Sequence, residues 1–123
     1  MEKKSFNEKT AIGSIKISQE VVAAVVKNAA VEIDGINSVS TGNIGIRGLL
    51  SKSKYTKPIR IDIHEGVARI QICIIVDPSK RIPDLANSAQ INIKNSVQNM
   101  TGLTVSGIDI IVTGIMDRAA QNI

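Results

Sequence analysis

Residues 57–76 read K-P-I-R-I-D-I-H-E-G-V-A-R-I-Q-I-C-I-I-V, and the rest of the architecture is built around this stretch. Ile59, Ile61 and Ile63 alternate with Arg60, Asp62 and His64, while Ile70, Ile72, Ile74 and Val76 alternate on the other side of Glu65-Gly66. Side chains of a strand point to opposite faces with period two, so each run has one apolar face. A two-residue Glu65-Gly66 turn sets Ile61 opposite Ile70 and Asp62 opposite Arg69, which makes the apolar faces coincide and the charges pair. The pattern predicts a β-hairpin carrying little catalytic chemistry, a scaffold rather than a reaction centre.

Upstream, Ala11–Ile17 reads as a short strand. Ser18 is placed to cap a helix that carries Val22, Val25, Val26, Ala29, Ala30 and Ile33 at helical spacing up to Asp34. Its β-branched content makes it a poor helix in isolation, so packing has to hold it. Gly35 supplies a stop, and Ile36–Ser40 suits another short strand. Downstream, Pro83–Met100 forms a second helix with Leu85, Ala86, Ala89, Ile93, Val97 and Met100 as its stripe, ended by Gly102. Leu103–Val112 is a last strand whose apolar parity changes in the middle, which predicts a β-bulge at Ser106-Gly107. Both helices run through a glycine into a strand, at 28–39 and again at 95–105. The expected architecture is α+β: a mainly antiparallel sheet of about five strands with two helices on one face.

The 123 residues form one domain, read as 11–115, flanked by a polar mobile arm at 1–10 and a loose tail at 116–123. Hydrophobic residues make up 43% but aromatic ones only 2%, namely Phe6 and Tyr55, so the core is built of Ile and Val. Such a chain offers no stacking platform for nucleic-acid bases. Cys73 is the only cysteine, which excludes an intramolecular disulfide and fits a reducing cytosol. Neither a membrane span nor a signal peptide is expected, which makes the chain cytoplasmic.

Net charge is +4, and it is concentrated. Arg47, Lys52, Lys54, Lys57 and Arg60 fall between Gly35 and Ile61 with no acid among them; the other ten basic residues are outnumbered by eleven acidic ones. The Gly-, Ser- and Lys-rich connection 42–57 therefore carries the positive field and is the candidate partner-binding segment. Its I-G-I-R-G string at 44–48 matches the form of a phosphate-clamping loop, with Gly45 and Gly48 admitting backbone N–H groups to phosphates and Arg47 adding charge. The same string also reads as a flexible solvated loop, since it follows a strand rather than joining two helices.

The reactive groups are few. His64, the single histidine, lies on the polar face of its strand beside the turn, where it reads as a solvated residue rather than a base. No nucleophile or metal-ligand spacing is present, so neither a cofactor, a metal nor a small-molecule substrate is expected, and the chain is expected not to be an enzyme. Cys73 and Ile75 share the face opposite the helices with Ile111. The three form either a self-association patch or the end of a strand buried on both sides.

The ordered motifs carry a resemblance. G-S-I-K-I-S-Q-E-V-V (13–22), A-A-V-E-I-D-G-I (29–36), I-C-I-I-V (72–76), I-P-D-L-A (82–86) and T-G-L-T-V-S-G-I-D-I-I-V-T-G-I (101–115) resemble, in order, the alkaline-shock-protein family of envelope stress response proteins. The resemblance implies a small cytoplasmic α+β domain of a Gram-positive bacterium, with a role in cell-envelope homeostasis and stress. It also implies action through a membrane-associated protein partner, and no catalytic residues. Two departures touch the surface: Asp77-Pro78-Ser79-Lys80-Arg81 replaces a usual Tyr-Gly pair, and Asn37-Ser38-Val39 stands where a Gly-Met pair is frequent. A nucleic-acid-binding module built on the 42–57 loop is the alternative, and a homo-oligomer is compatible with either.

Overall fold

The computed structural model describes residues 5–9, 12–40 and 57–116. In chain order the elements are β1 (Ser5–Lys9), β2 (Ser14–Ser18), α1 (Gln19–Val31), β3 (Ile36–Val39), β4 (Ile59–His64), β5 (Val67–Val76), α2 (Ile82–Thr101) and β6 (Thr104–Ile115). The α+β class holds.

The hairpin has the register its alternation requires. Ile61 faces Ile70, Asp62 faces Arg69 and Ile59 faces Ile72. Glu65 and Gly66 both take positive φ, 52° and 78°, as a two-residue turn of this hand demands. The charges pair differently from the expected cross-strand couple: the Arg69 guanidinium binds Asp109 on β6, with Nη2 2.9 and 3.0 Å from the two carboxylate oxygens. The bare backbone of Gly107 makes room for it, because a Cβ there would lie 2.3 Å from Arg69 Nη1.

β5 is the centre of a four-stranded sheet. β6 runs parallel to it along one edge, while β4 and then β3 pair antiparallel along the other, end to end. β4 covers Val67–Ile72 and β3 covers Ile74–Val76, so the two strands meet at Cys73. The parallel pair follows from its connection, since a helix carries the chain from the end of β5 back to the start of β6. Ala68 faces Val105 and Arg69 faces Gly107, which leaves Ser106 as the extra residue of the expected bulge. A second shift between Ile74 and Ile75 leaves Thr113 extra in the same way.

Two expectations are corrected. The segment Ser5–Lys9, read as part of a polar arm, is a strand that pairs antiparallel with β2, from Ser5 opposite Ser18 to Lys9 opposite Ser14. Backbone pairing needs no apolar alternation, which is why composition does not reveal it. β2 accordingly belongs to this two-stranded ribbon and not to the main sheet.

α1 and α2 pack on one face of the sheet and against each other. Their core residues are Val22, Val25, Val26, Ala29 and Ala30 on α1, with Leu85, Ala89, Ile93 and Val97 on α2. They meet Ile61, Ile63, Ala68, Ile70, Ile72, Ile74 and Val76 from the sheet. Ser18 caps α1, its Oγ accepting from Val21 N at 3.3 Å. α1 ends earlier than its apolar spacing suggests, with Glu32 as its C-cap, and a turn then leads to Gly35. Gly102 ends α2 in the left-handed conformation. Its buried stripe advances by fours, so Thr101 and not Met100 completes it, and Met100 is 72% exposed. Asn92 Nδ2 ties the helices together through Ala29 O at 2.7 Å and Glu32 Oε1 at 2.9 Å.

Candidate functional site

The sheet face turned away from the helices has two unlike halves. Near the hairpin turn, Arg60, Asp62, His64, Arg69 and Asp109 are all exposed. His64 Nε2 stands 4.0 Å from Glu65 Oε2 with both side chains in solvent, the placement of a turn residue. At the other half, Cys73 is 0% and Ile75 4% exposed, while Ile111 beside Cys73 is half-buried. The end of β5 is thus buried on both faces. Two of the three residues of the candidate self-association patch, Cys73 and Ile75, have no surface to present, and Ile111 alone keeps some. Burial pushes the Cys73 thiol above its ordinary 9.0.

Cys73 is also where the basic connection is anchored. Its N–H donates to Pro58 O at 2.8 Å and its C=O accepts from Ser40 N at 2.9 Å. Thr113 Oγ1 adds a bond to Ser40 O at 2.6 Å. Ser40 and Pro58 bracket residues 41–56, so that segment leaves and rejoins the sheet at a single residue. Arg47, Lys52 and Lys54, with Gly45 and Gly48, lie outside the described residues. Lys57 and Arg60 are described and exposed, but on different sides of β4. Lys57 borders a recess of about 180 Å³ with Gln19, Glu20, Ala23, Ile59 and Ile61 under α1, whereas Arg60 is on the outer face. The two are not gathered into one site.

The sequence reading missed a set of amides that finish the sheet. Gln19 Nε2 donates to Ile61 O from α1. Gln90 Nε2 donates to Ile108 O at 3.0 Å, and Gln98 Oε1 accepts from Val105 N at 3.1 Å, both from α2. A shallow groove of about 220 Å³ lies there between α2 and β6, bordered by Asn87, Ile91 and Lys94. Polar residues on the flank of an amphipathic helix look like solvated ones in sequence, so no pattern announces them. Among the described residues no cluster of His, Cys, Asp and Glu could hold a metal ion, and no helix is long and apolar enough to cross a membrane.

The family of alkaline shock protein 23, described by its cell envelope-related function, matches residues 7–117. The chain belongs to that family. Two Bacillus subtilis proteins are similar over nearly all of it. YqhY is 31% identical over 98% of this chain and 90% of its own length, and YloU is 30% identical over 90% and 95%. Among solved structures, a MamM CTD is similar with a TM-score of 0.48 and 14% identity, covering 78% of this chain and 96% of that one. The region matched to the family takes in the whole of the main sheet and both helices, and also spans 41–56. The sequence resemblance to alkaline-shock proteins is therefore a true family relation.

Proposed function

We propose that this chain is a non-enzymatic cytoplasmic adaptor of cell-envelope homeostasis and stress response, acting through a membrane-associated protein partner. The observation that carries the reading is the match of residues 7–117 to a family with a cell envelope-related function. The body of the domain suits the role. A sheet tightly covered by two helices makes a rigid support, and both ends of the basic segment are fixed to it at Cys73. In this reading Arg47, Lys52, Lys54, Lys57 and Arg60 contact an acidic protein surface at the membrane. Attraction to anionic headgroups alone contributes about 1 kcal/mol per basic residue, too little to hold the domain without a protein partner.

The test is recovery of the tagged chain from detergent-solubilised host membranes, with and without nuclease, beside a variant with Lys52, Lys54 and Lys57 each changed to Glu. A membrane protein retained through nuclease treatment and lost from the folded triple variant is the expected result. Material that disappears with nuclease would replace the adaptor with the nucleic-acid reading. Equal retention by the triple variant would remove the basic segment from the interface.

A further inference from the structure

β5 determines which backbone groups of β6 are already used. Cys73 turns both its N–H and its C=O toward the β3/β4 edge. In a strand these groups alternate from one edge to the other, residue by residue. Ile70, Ile72 and Ile74 therefore turn theirs toward β6, and in a parallel ladder each bonds the two residues flanking its partner. Those partners are Ile108, Ile110 and Val112. The N–H and C=O groups of these three consequently point away from β5. The bond from Gln90 to the Ile108 carbonyl agrees with that direction.

Half of this outer edge is closed. Gln98 holds Val105 N–H, Gln90 holds Ile108 O, and the bulge at Ser106 interrupts the line between them. Among the described residues, no such amide covers Ile110 or Val112 and no strand pairs with β6 on this side. The open stretch D-I-I-V contains neither Pro nor Lys, and its single charge, Asp109, is engaged by Arg69. An edge with these features is a template for another strand.

We propose that β6 pairs antiparallel with β6 of a second copy of this chain, about a two-fold axis at Ile111, joining two four-stranded sheets into one. Ile110 then faces Val112 of the second copy, and Val112 faces its Ile110, so that only the open groups are used. Ile111 faces Ile111 on the outer side of the sheet. Asp109 faces Thr113, which keeps the two Asp109 carboxylates about 13 Å apart along the strand. An axis at Ile110 would require Ile108, which Gln90 occupies; one at Val112 would run into the bulge at Thr113. The self-complementarity of this one register selects a second copy as the occupant, as a closed two-fold interface requires. The inference is independent of the envelope reading.

A symmetric disulfide tests the register in the full chain. A directly opposed, non-hydrogen-bonded antiparallel pair has Cα atoms about 4.5 Å apart, within disulfide range. In a Cys73→Ala background, Ile111→Cys should give a covalent dimer on mild oxidation, and Asp109→Cys should not. The unsubstituted chain should sediment as a dimer, with the Ile110 and Val112 amides protected from hydrogen exchange. A monomer at the cross-linking concentration would overturn the proposal, as would equal cross-linking of both variants. Rapid exchange of those two amides in a dimer would overturn it without recourse to any variant.

Discussion

Gly35 lies so close against Leu85 that a Cβ added to it would stand 2.7 Å from Leu85 Cδ2, and 2.9 Å from Lys80 Cγ. The turn after α1 and the first turn of α2 are in contact at that point, and Leu85 is part of the core. Lys80 also pairs with Asp34 beside it, Nζ to Oδ2 at 3.1 Å. Gly35 has φ +110°, a conformation that L side chains rarely adopt. Strain and overpacking act together, so Gly35→Ala should destabilise the domain by about 2–4 kcal/mol, measured as a lower denaturant midpoint with unchanged slope. A loss below about half a kcal/mol would show that the turn rearranges freely.

Thr101 closes the other end of α2 with one buried hydroxyl. Its Oγ1 donates to Val97 O at 2.6 Å and accepts from Leu103 N at 3.1 Å. Thr101→Val keeps the shape and removes both partners, leaving the Leu103 N–H unsatisfied in the core. The expected loss is about 1–3 kcal/mol. Thr101→Ser retains the hydroxyl and should lose no more than about 1 kcal/mol for the missing methyl. Equal losses in the two thermal melts would mean that the methyl, not the hydroxyl, matters.

Cys73 gives the domain a defined weakness at high pH. Burial raises its thiol above the ordinary 9.0 in the folded state. Below that value the thiol is neutral in folded and unfolded chains alike, and its contribution to stability is fully present. Above it the unfolded chain releases the proton while the folded chain keeps it, so stability falls as pH rises toward the folded value. Melting followed between about pH 8 and 10 should show a steeper decline for the native sequence than for Cys73→Ala. Parallel declines would show that Cys73 does not contribute to the alkaline loss. Thiol reagents at about pH 8 should be slow to label the native chain, for the same desolvation and for want of access.

Much of this fold was legible because its signals are local. Alternation on either side of Glu65-Gly66 sets the hairpin register, and the change of parity at Ser106-Gly107 marks the bulge. The second bulge, at Thr113, lies where T-G-I offers no apolar alternation to break. β1 carries no pattern of its own, because pairing with β2 is a matter of backbone groups. The candidate site was less legible for a related reason. Parity puts Cys73 and Ile75 on the outer face, but parity carries no information about burial from outside the strand. The convergence of Ser40 and Pro58 on Cys73 depends on β3 and β4 sharing one edge of β5, a long-range arrangement that neither strand encodes. Arg69 likewise faces Asp62 in the hairpin yet binds Asp109, since β6 brings a carboxylate within 2.9 Å over a glycine.

Gln90 and Gln98 offer the last test, and it concerns solubility more than stability. Both are exchangeable for water as hydrogen-bond partners at a sheet edge, so replacing both with Ala should cost only about 1–2 kcal/mol in total. Their removal, however, frees Val105 N–H and Ile108 O and extends the open edge of β6 toward its start. An exposed edge that is longer and still apolar recruits other strands. The double variant should therefore stay folded by circular dichroism but scatter light at concentrations where the native chain remains clear. If scattering is unchanged while the melt falls by several kcal/mol, the two amides serve the packing of α2 and do not guard the edge.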